Sequence, residues 1–160
     1  LTNDLSFKGF DLNVFLQGVY GNEIMNLIRR DIEGMAGLVN QAQIVDQRFR
    51  NLTPSTEIPR ATHTDPNFNR RISSRFVEDG SFIRLRNITL GYNLPKAKAL
   101  RWSIQSLRLY VSTQNLATWT NYSGYDPEIG SYNQNPLVNG VENGRYPTSR
   151  SYTIGLNATF

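Results

Sequence analysis

The residues able to carry covalent or metal chemistry are few. The 160-residue chain has no cysteine and one histidine, His63. Thiol catalysis, disulfide scaffolds, zinc ribbons and sites built on two imidazoles are therefore excluded. No Ser/His/Asp arrangement, phosphate loop or metal-ligand spacing stands out, so neither enzyme activity nor a cofactor is expected. Asp126 and Glu128 flank Pro127, with Glu78 and Asp79 elsewhere. Two carboxylates are too few for Ca²⁺, which takes about 6–8 oxygens, and Asp126-Pro127-Glu128 reads as a turn. Recognition chemistry remains. Arg84, Arg86, Arg108, Tyr110, Gln114, Trp119, Tyr122 and Tyr125 combine aromatic faces, which stack on sugar rings, with groups that satisfy hydroxyls or peptide bonds. The competing reading is structural: aromatics at strand ends form interfacial girdles, and interior arginines pair with acidic groups.

These residues sit on a set of alternating strands. Leu1 to Phe7 and Phe10 to Tyr20 alternate around a tight break at Lys8-Gly9, and further strands are expected near Phe82–Asn93, Ser106–Thr118 and Ser149–Phe160. Most reach the ~9–11 residues that a tilted strand needs to cross hydrocarbon. Only 39% of residues are hydrophobic, yet 11% are aromatic, which argues against disorder. Connections alternate too: Lys8-Gly9 and Leu94–Gln105 are short, while Gly21–Glu78 and Trp119–Tyr146 are long. Long loops on one edge and short turns on the other are the pattern of outer-membrane barrels. A soluble domain rarely holds structureless loops beyond ~12–15 residues.

The third strand breaks phase: Ile83 and Leu85 have one parity, Ile88, Leu90 and Tyr92 the other. Arg84 and Arg86 should avoid lipid, so a β-bulge is expected near Arg86-Asn87; alternatively Phe82–Arg86 stands above the membrane. In the first long loop, Asn22 is expected to cap a helix over Glu23–Asn40, and Thr53–Arg75 reads as extended loop. The net charge is +4, but its basic residues are scattered, so nucleic acid is not an expected partner.

The run Phe76-Val77-Glu78-Asp79-Gly80-Ser81-Phe82-Ile83-Arg84-Leu85 through Leu90-Gly91-Tyr92-Asn93-Leu94-Pro95 closely resembles the SusC/RagA-type TonB-dependent transporters of Bacteroidetes outer membranes. Gln114-Asn115-Leu116, Tyr122-Ser123-Gly124-Tyr125-Asp126-Pro127-Glu128 and Tyr146-Pro147 agree in the same order, as does Phe7-Lys8-Gly9-Phe10-Asp11-Leu12 through Tyr20-Gly21-Asn22. The resemblance implies an all-β antiparallel transmembrane β-barrel segment. About five strands of a roughly 22-stranded barrel would lie in residues 1–160, the C-terminal portion, with one short helix in an extracellular loop and the plug domain absent. It implies an outer-membrane location in a Gram-negative bacterium, with long loops extracellular and the C-terminus periplasmic. It further implies uptake of an oligosaccharide or peptide with a SusD-like surface lipoprotein and TonB. Thr153, Gly155, Ala158 and Phe160 fit a terminal signal for the barrel-assembly machinery, which can pair with a strand by β-augmentation. A passive porin, an adhesion barrel and a soluble glycan-binding β-sandwich are the alternatives.

Overall fold

The computed structural model describes residues 1–35, 39–55, 57–95, 104–132 and 135–160. In chain order its elements are β1 (Thr2–Phe7), β2 (Phe10–Val19), β3 (Glu23–Asn26), α1 (Leu27–Ile32), β4 (Val77–Asp79), β5 (Phe82–Asn93), β6 (Ser106–Thr120), β7 (Ser131–Tyr132), β8 (Asn135–Asn139), β9 (Val141–Glu142) and β10 (Ser151–Thr159), with 3₁₀ turns at Gln43–Gln47 and Ser74–Phe76. They form two compact units. Leu1–Tyr20, Ser81–Asn121 and Pro147–Phe160 make one; Gly21–Gly80 and Tyr122–Tyr146 make the other.

The first unit is a five-stranded antiparallel sheet in the order β1-β2-β5-β6-β10. The five strands expected from alternation are all present, within a few residues at each end. Lys8 (φ 46°) and Gly9 (φ 89°) form the two-residue link between β1 and β2. Positive φ at both positions is what a twist-matched hairpin turn requires. The connection Leu94–Gln105 lies largely outside the described residues.

Cross-strand partners share a face of a sheet, and the register sorts this one cleanly. Phe7, Phe10, Tyr92, Leu109 and Leu156 form one row; Leu5, Leu12, Leu90, Val111 and Ile154 form another on the same face. Between them on the opposite face lies Ser6, Asp11, Gly91, Tyr110 and Gly155, followed by Asp4, Asn13, Thr89, Ser112 and Thr153. The apolar rows are open: Leu109, Leu156 and Ile154 are 45%, 59% and 85% exposed. A sandwich core would bury them, since each such side chain gains roughly 1.5–3 kcal/mol on leaving water. Among the described residues no helix is long and apolar enough to cross a membrane, which says nothing of crossing by strands.

The expected bulge is present. The β5 register shifts between Leu85 and Asn87 against β6, and opposite Phe15/Leu16 against β2. Arg86 is the inserted residue, so Ile83 and Leu85 share the face of Ile88, Leu90 and Tyr92. On β6 the same irregularity holds Asn115 at φ 51°, a left-handed conformation that asparagine tolerates better than most residues.

The second unit holds a small core of Ile24, Leu27, Met35, Ile58, Phe76 and Tyr122, all buried. Its sheet has the order β4-β3-β9, antiparallel on one side and parallel on the other, and β7 and β8 form a separate pair. Here the helix expectation needs correction. Glu23–Asn26 is a strand, because it pairs with both Val77–Asp79 and Val141–Glu142. The helix starts four residues later and runs only from Leu27 to Ile32; its cap is Asn26, whose side-chain oxygen accepts from the Arg29 amide at 3.0 Å. The remainder of the expected helix contains Met35 at φ 50°, and residues 36–38 lie outside the described residues. Thr53–Arg75 is not a simple extended loop: it includes Ile58 in the core and closes on the 3₁₀ turn at Ser74–Phe76.

Candidate functional site

Two surfaces gather the candidate residues: the polar face of the long sheet and a cleft in the second unit. On the sheet, charged side chains are held by cross-strand neighbours, one of them in an ion pair. Arg108 donates through Nε and Nη2 to the carboxylate of Asp11, and Asn93 donates to the same carboxylate at 2.9 Å. The salt bridge crosses Gly91, where an added Cβ would lie 2.6 Å from Arg108 Nη2 and both Asp11 oxygens. The Arg108 guanidinium lies 5.4 Å from the Tyr110 ring centroid. Tyr110 in turn lies across Gly155, where a Cβ would collide with its ring. Two glycines thus make room for a stacked Asp11–Arg108–Tyr110 arrangement.

Further along the same face a hydrogen-bond ladder crosses four strands, β1, β2, β5 and β6. Asn13 donates to Asp4 at 2.6 Å, Asn87 donates to Asn13 at 3.2 Å, Ser112 donates to Asn87 at 3.3 Å, and the Thr89 and Ser112 hydroxyls are 2.9 Å apart. Gln114 shares its row with Asn87 and Ser151. Beyond the bulge, Arg84 is 2% exposed and donates to the hydroxyls of Thr118 and Thr148, both at 3.0 Å. Arg86 donates to Asn115 at 3.2 Å. Trp119 stands apart: its row partner is Ile83, it lies on the apolar face, and it is exposed. Position at a strand end on that face is the geometry of an interfacial girdle.

Within the terminal strand, Thr153 and Gly155 lie on the polar face, opposite Ser112 and Tyr110, whereas Ala158 pairs with Leu107 on the apolar face. Phe160 follows β10 and is exposed.

The cleft in the second unit encloses about 440 Å³ between two walls. One is α1 and its cap, with Asn26, Ile28, Arg29, Ile32 and Glu33; the other is Ser123, Gly124 and Tyr125. Behind it Glu78 ties the walls together. Its carboxylate accepts from the Ser123 amide and hydroxyl, both at 2.9 Å, from Asn26 at 3.0 Å and from Arg29 at 3.1 Å. Burial opposes ionisation of Glu78, but the Ser123, Arg29 and Asn26 donors outweigh it and hold the carboxyl below its ordinary value. Arg29 also grips Glu33 at 2.6 and 3.2 Å, and Glu33 holds the Arg29 guanidinium more firmly protonated than usual despite partial burial.

Tyr122 is in the core rather than the cleft, its phenol pushed up by burial and by nearby Glu142 and Glu78, while Tyr125 is an exposed rim residue. Asp126 accepts from the Glu128 amide at 3.0 Å, the local turn that Pro127 suggests. Among the described residues no three His, Cys, Asp or Glu side chains converge on a metal position.

Sequence reasoning missed Asp11, Asn13 and Asn26, and weighed Glu78 only as a carboxylate for a metal site. Asp11 and Arg108 are separated by 97 positions, and only the register joins them. Polar alternation marks Asp11 and Asn13 as polar-face residues, but nothing local distinguishes Glu78 from its neighbour Asp79.

No family model matches the chain. Relatives do. Over 99% of its length the chain is 38% identical to TonB-dependent receptor P3 of Formosa agariphila, and over all of it 24% identical to TonB-dependent receptor SusC of Bacteroides thetaiotaomicron. Among solved structures, the RagAB peptide transporter superposes with a TM-score of 0.79 at 26% identity, covering 97% of this chain. The chain spans only 16% of the length of receptor P3 and 16% of the RagAB chain it matches. Long alternating strands, a bulge that keeps Arg84 off the apolar face, and these similarities agree: along its whole length the chain is similar to part of the SusC/RagA-type TonB-dependent receptors.

Proposed function

We propose that this chain supplies barrel wall and two extracellular loops to a TonB-dependent outer-membrane importer. Residues 1–160 would be the C-terminal part of a larger, closed barrel, with apolar rows in lipid and polar rows facing the lumen. The observation that carries this reading is the opposition of the two faces. One presents exposed Leu, Ile and Phe rows; the other presents a bonded network of Asp, Asn, Thr, Ser and Arg. Supporting it are relatives named TonB-dependent receptors and a structural neighbour titled a peptide transporter.

The barrel would import an oligosaccharide or peptide, working with a SusD-like lipoprotein on the cell surface and TonB in the periplasm. The barrel-assembly machinery would read Thr153, Gly155, Ala158 and Phe160 during insertion. The sheet's part in transport is passive: its arginines are already held by side chains of the same face, so it forms a stiff, wetted wall and performs no bond chemistry.

Uptake assays test the function. Cells carrying the intact receptor should accumulate labelled oligosaccharide or peptide, and dissipating the proton-motive force should abolish uptake, because TonB transmits that energy. Uptake insensitive to the proton-motive force would instead identify a passive channel.

A further inference from the structure

The cleft beside Glu78 shares with the sheet face that its polar groups are already engaged, but unlike that face it is a concave pocket of about 440 Å³. Asn26 donates to Glu78 and Ser123, and its carbonyl oxygen accepts the Arg29 amide. Ser123 gives both its amide and its hydroxyl to Glu78. Glu33 is held by Arg29 and, at 3.2 Å, by Arg75. A sugar ring needs a surrounding set of free donors and acceptors, because buried unsatisfied hydroxyls cost affinity. This cleft offers few. The two carboxylates, Glu33 and Glu78, are matched by Arg29 and Arg75, so no surplus charge attracts an ionic group. What it does offer is Ile28, Ile32 and the open ring of Tyr125, within a volume typical of ligand sites.

We infer that this cleft takes a neutral, apolar side chain of Leu or Phe type from a peptide. The backbone of such a peptide would stay at the rim, where the phenol of Tyr125 is exposed. Glu78 is a positioning residue: by holding Asn26 and Arg29 of one wall and Ser123 of the other, it keeps the cleft open before a ligand arrives, which lowers the ordering cost of binding. Gly124 contributes through its lack of a side chain, since an added Cβ would lie 2.5 Å from the Tyr122 phenol carbon and oxygen.

The inference deepens the import reading by choosing one class of cargo. Its test uses the intact receptor in detergent micelles and the neutral probe acetyl-Ala-(benzoyl-Phe)-Ala-amide. After irradiation, the adduct should map to residues 27–33 or 123–125. Excess acetyl-Ala-Phe-Ala-amide should compete, whereas its Glu counterpart and maltotriose should not. Ile32→Asp should lower the adduct yield by about tenfold or more, because a carboxylate now faces the apolar probe; Ile32→Val, which keeps the wall apolar and removes one methylene, should lower it far less. Ile32 is exposed, so neither variant threatens the core. Tyr125→Ala provides a second reduction independent of Ile32. Equal labelling of wild type and Ile32→Asp, or displacement by maltotriose alone, would overturn the assignment. An adduct in the cleft without energised peptide uptake would count against the import reading and leave the cleft standing. Peptide uptake with no adduct there would do the reverse.

Discussion

Gly155 shows how much one absent side chain can decide. Tyr110 sits between Gly91 and Gly155 in a single cross-strand row, and its ring occupies the space where a Cβ of residue 155 would stand. The ring covers backbone that glycine leaves bare, which couples β6 to β10 beyond their ladder hydrogen bonds. Gly155→Val should therefore destabilise the folded protein by about 1–3 kcal/mol, the usual range for overpacking. Combining it with Tyr110→Ala should recover part of the loss. Denaturant unfolding in micelles of the two single variants and the double variant gives the coupling directly. Additive losses would mean the ring and the glycine do not interact.

At the scale of elements, the two faces of β10 make opposite demands on the same substitution. Ile154 and Thr153 are neighbours in sequence, but Ile154 belongs to the open apolar row and Thr153 pairs with Ser112 on the polar face. Ile154→Arg should cost about 2–4 kcal/mol in a bilayer, whereas Thr153→Arg should cost much less, because the penalty belongs to charges on the lipid face. Folded fraction in lipid vesicles, read from heat-dependent gel mobility, compares them; the reverse order would place the lipid on the other side. The bulge at Arg86 solves the same problem within one strand. By adding a residue it lets Arg84 and Ile88 point to opposite faces although they are an even number of positions apart.

On the scale of the molecule, the two units are stabilised differently. Among the described residues, the sheet buries little besides Phe82 and Arg84, while the loop unit has its own apolar core. The loop unit also depends on an ionised Glu78. Because that carboxyl binds its proton less readily when folded, its stabilisation is complete above the ordinary value of 4.5 and is lost as pH falls through the lower folded value. Residues 21–80 and 122–146 should therefore become protease-sensitive below that range while the strands stay protected. Glu78→Gln should weaken the unit at neutral pH, since hydrogen bonds to a charged group are worth about 1.5–3 kcal/mol, and should flatten its acid response. An acid response unchanged by Glu78→Gln would assign the transition to other groups, Asp31 first, whose carboxyl is lowered by Arg30 and Arg70 against the cost of burial.

The strand set, the hairpin at Lys8-Gly9 and the bulge near Arg86 were all legible in residue order. Their causes are local: period-two alternation, a turn needing positive φ, and a charge that cannot share a face with leucine. The helix was misplaced because pairing with β4 and β9 draws Glu23–Asn26 into a strand, a contact made with residues more than fifty positions away. Only the tertiary structure could join Asp11 to Arg108, place Trp119 among apolar neighbours, or set Glu78 rather than Asp79 behind a cleft. Local sequence limits which face a side chain takes along its own strand. Which partner stands opposite is decided by register and loop packing, where residues distant in the chain meet.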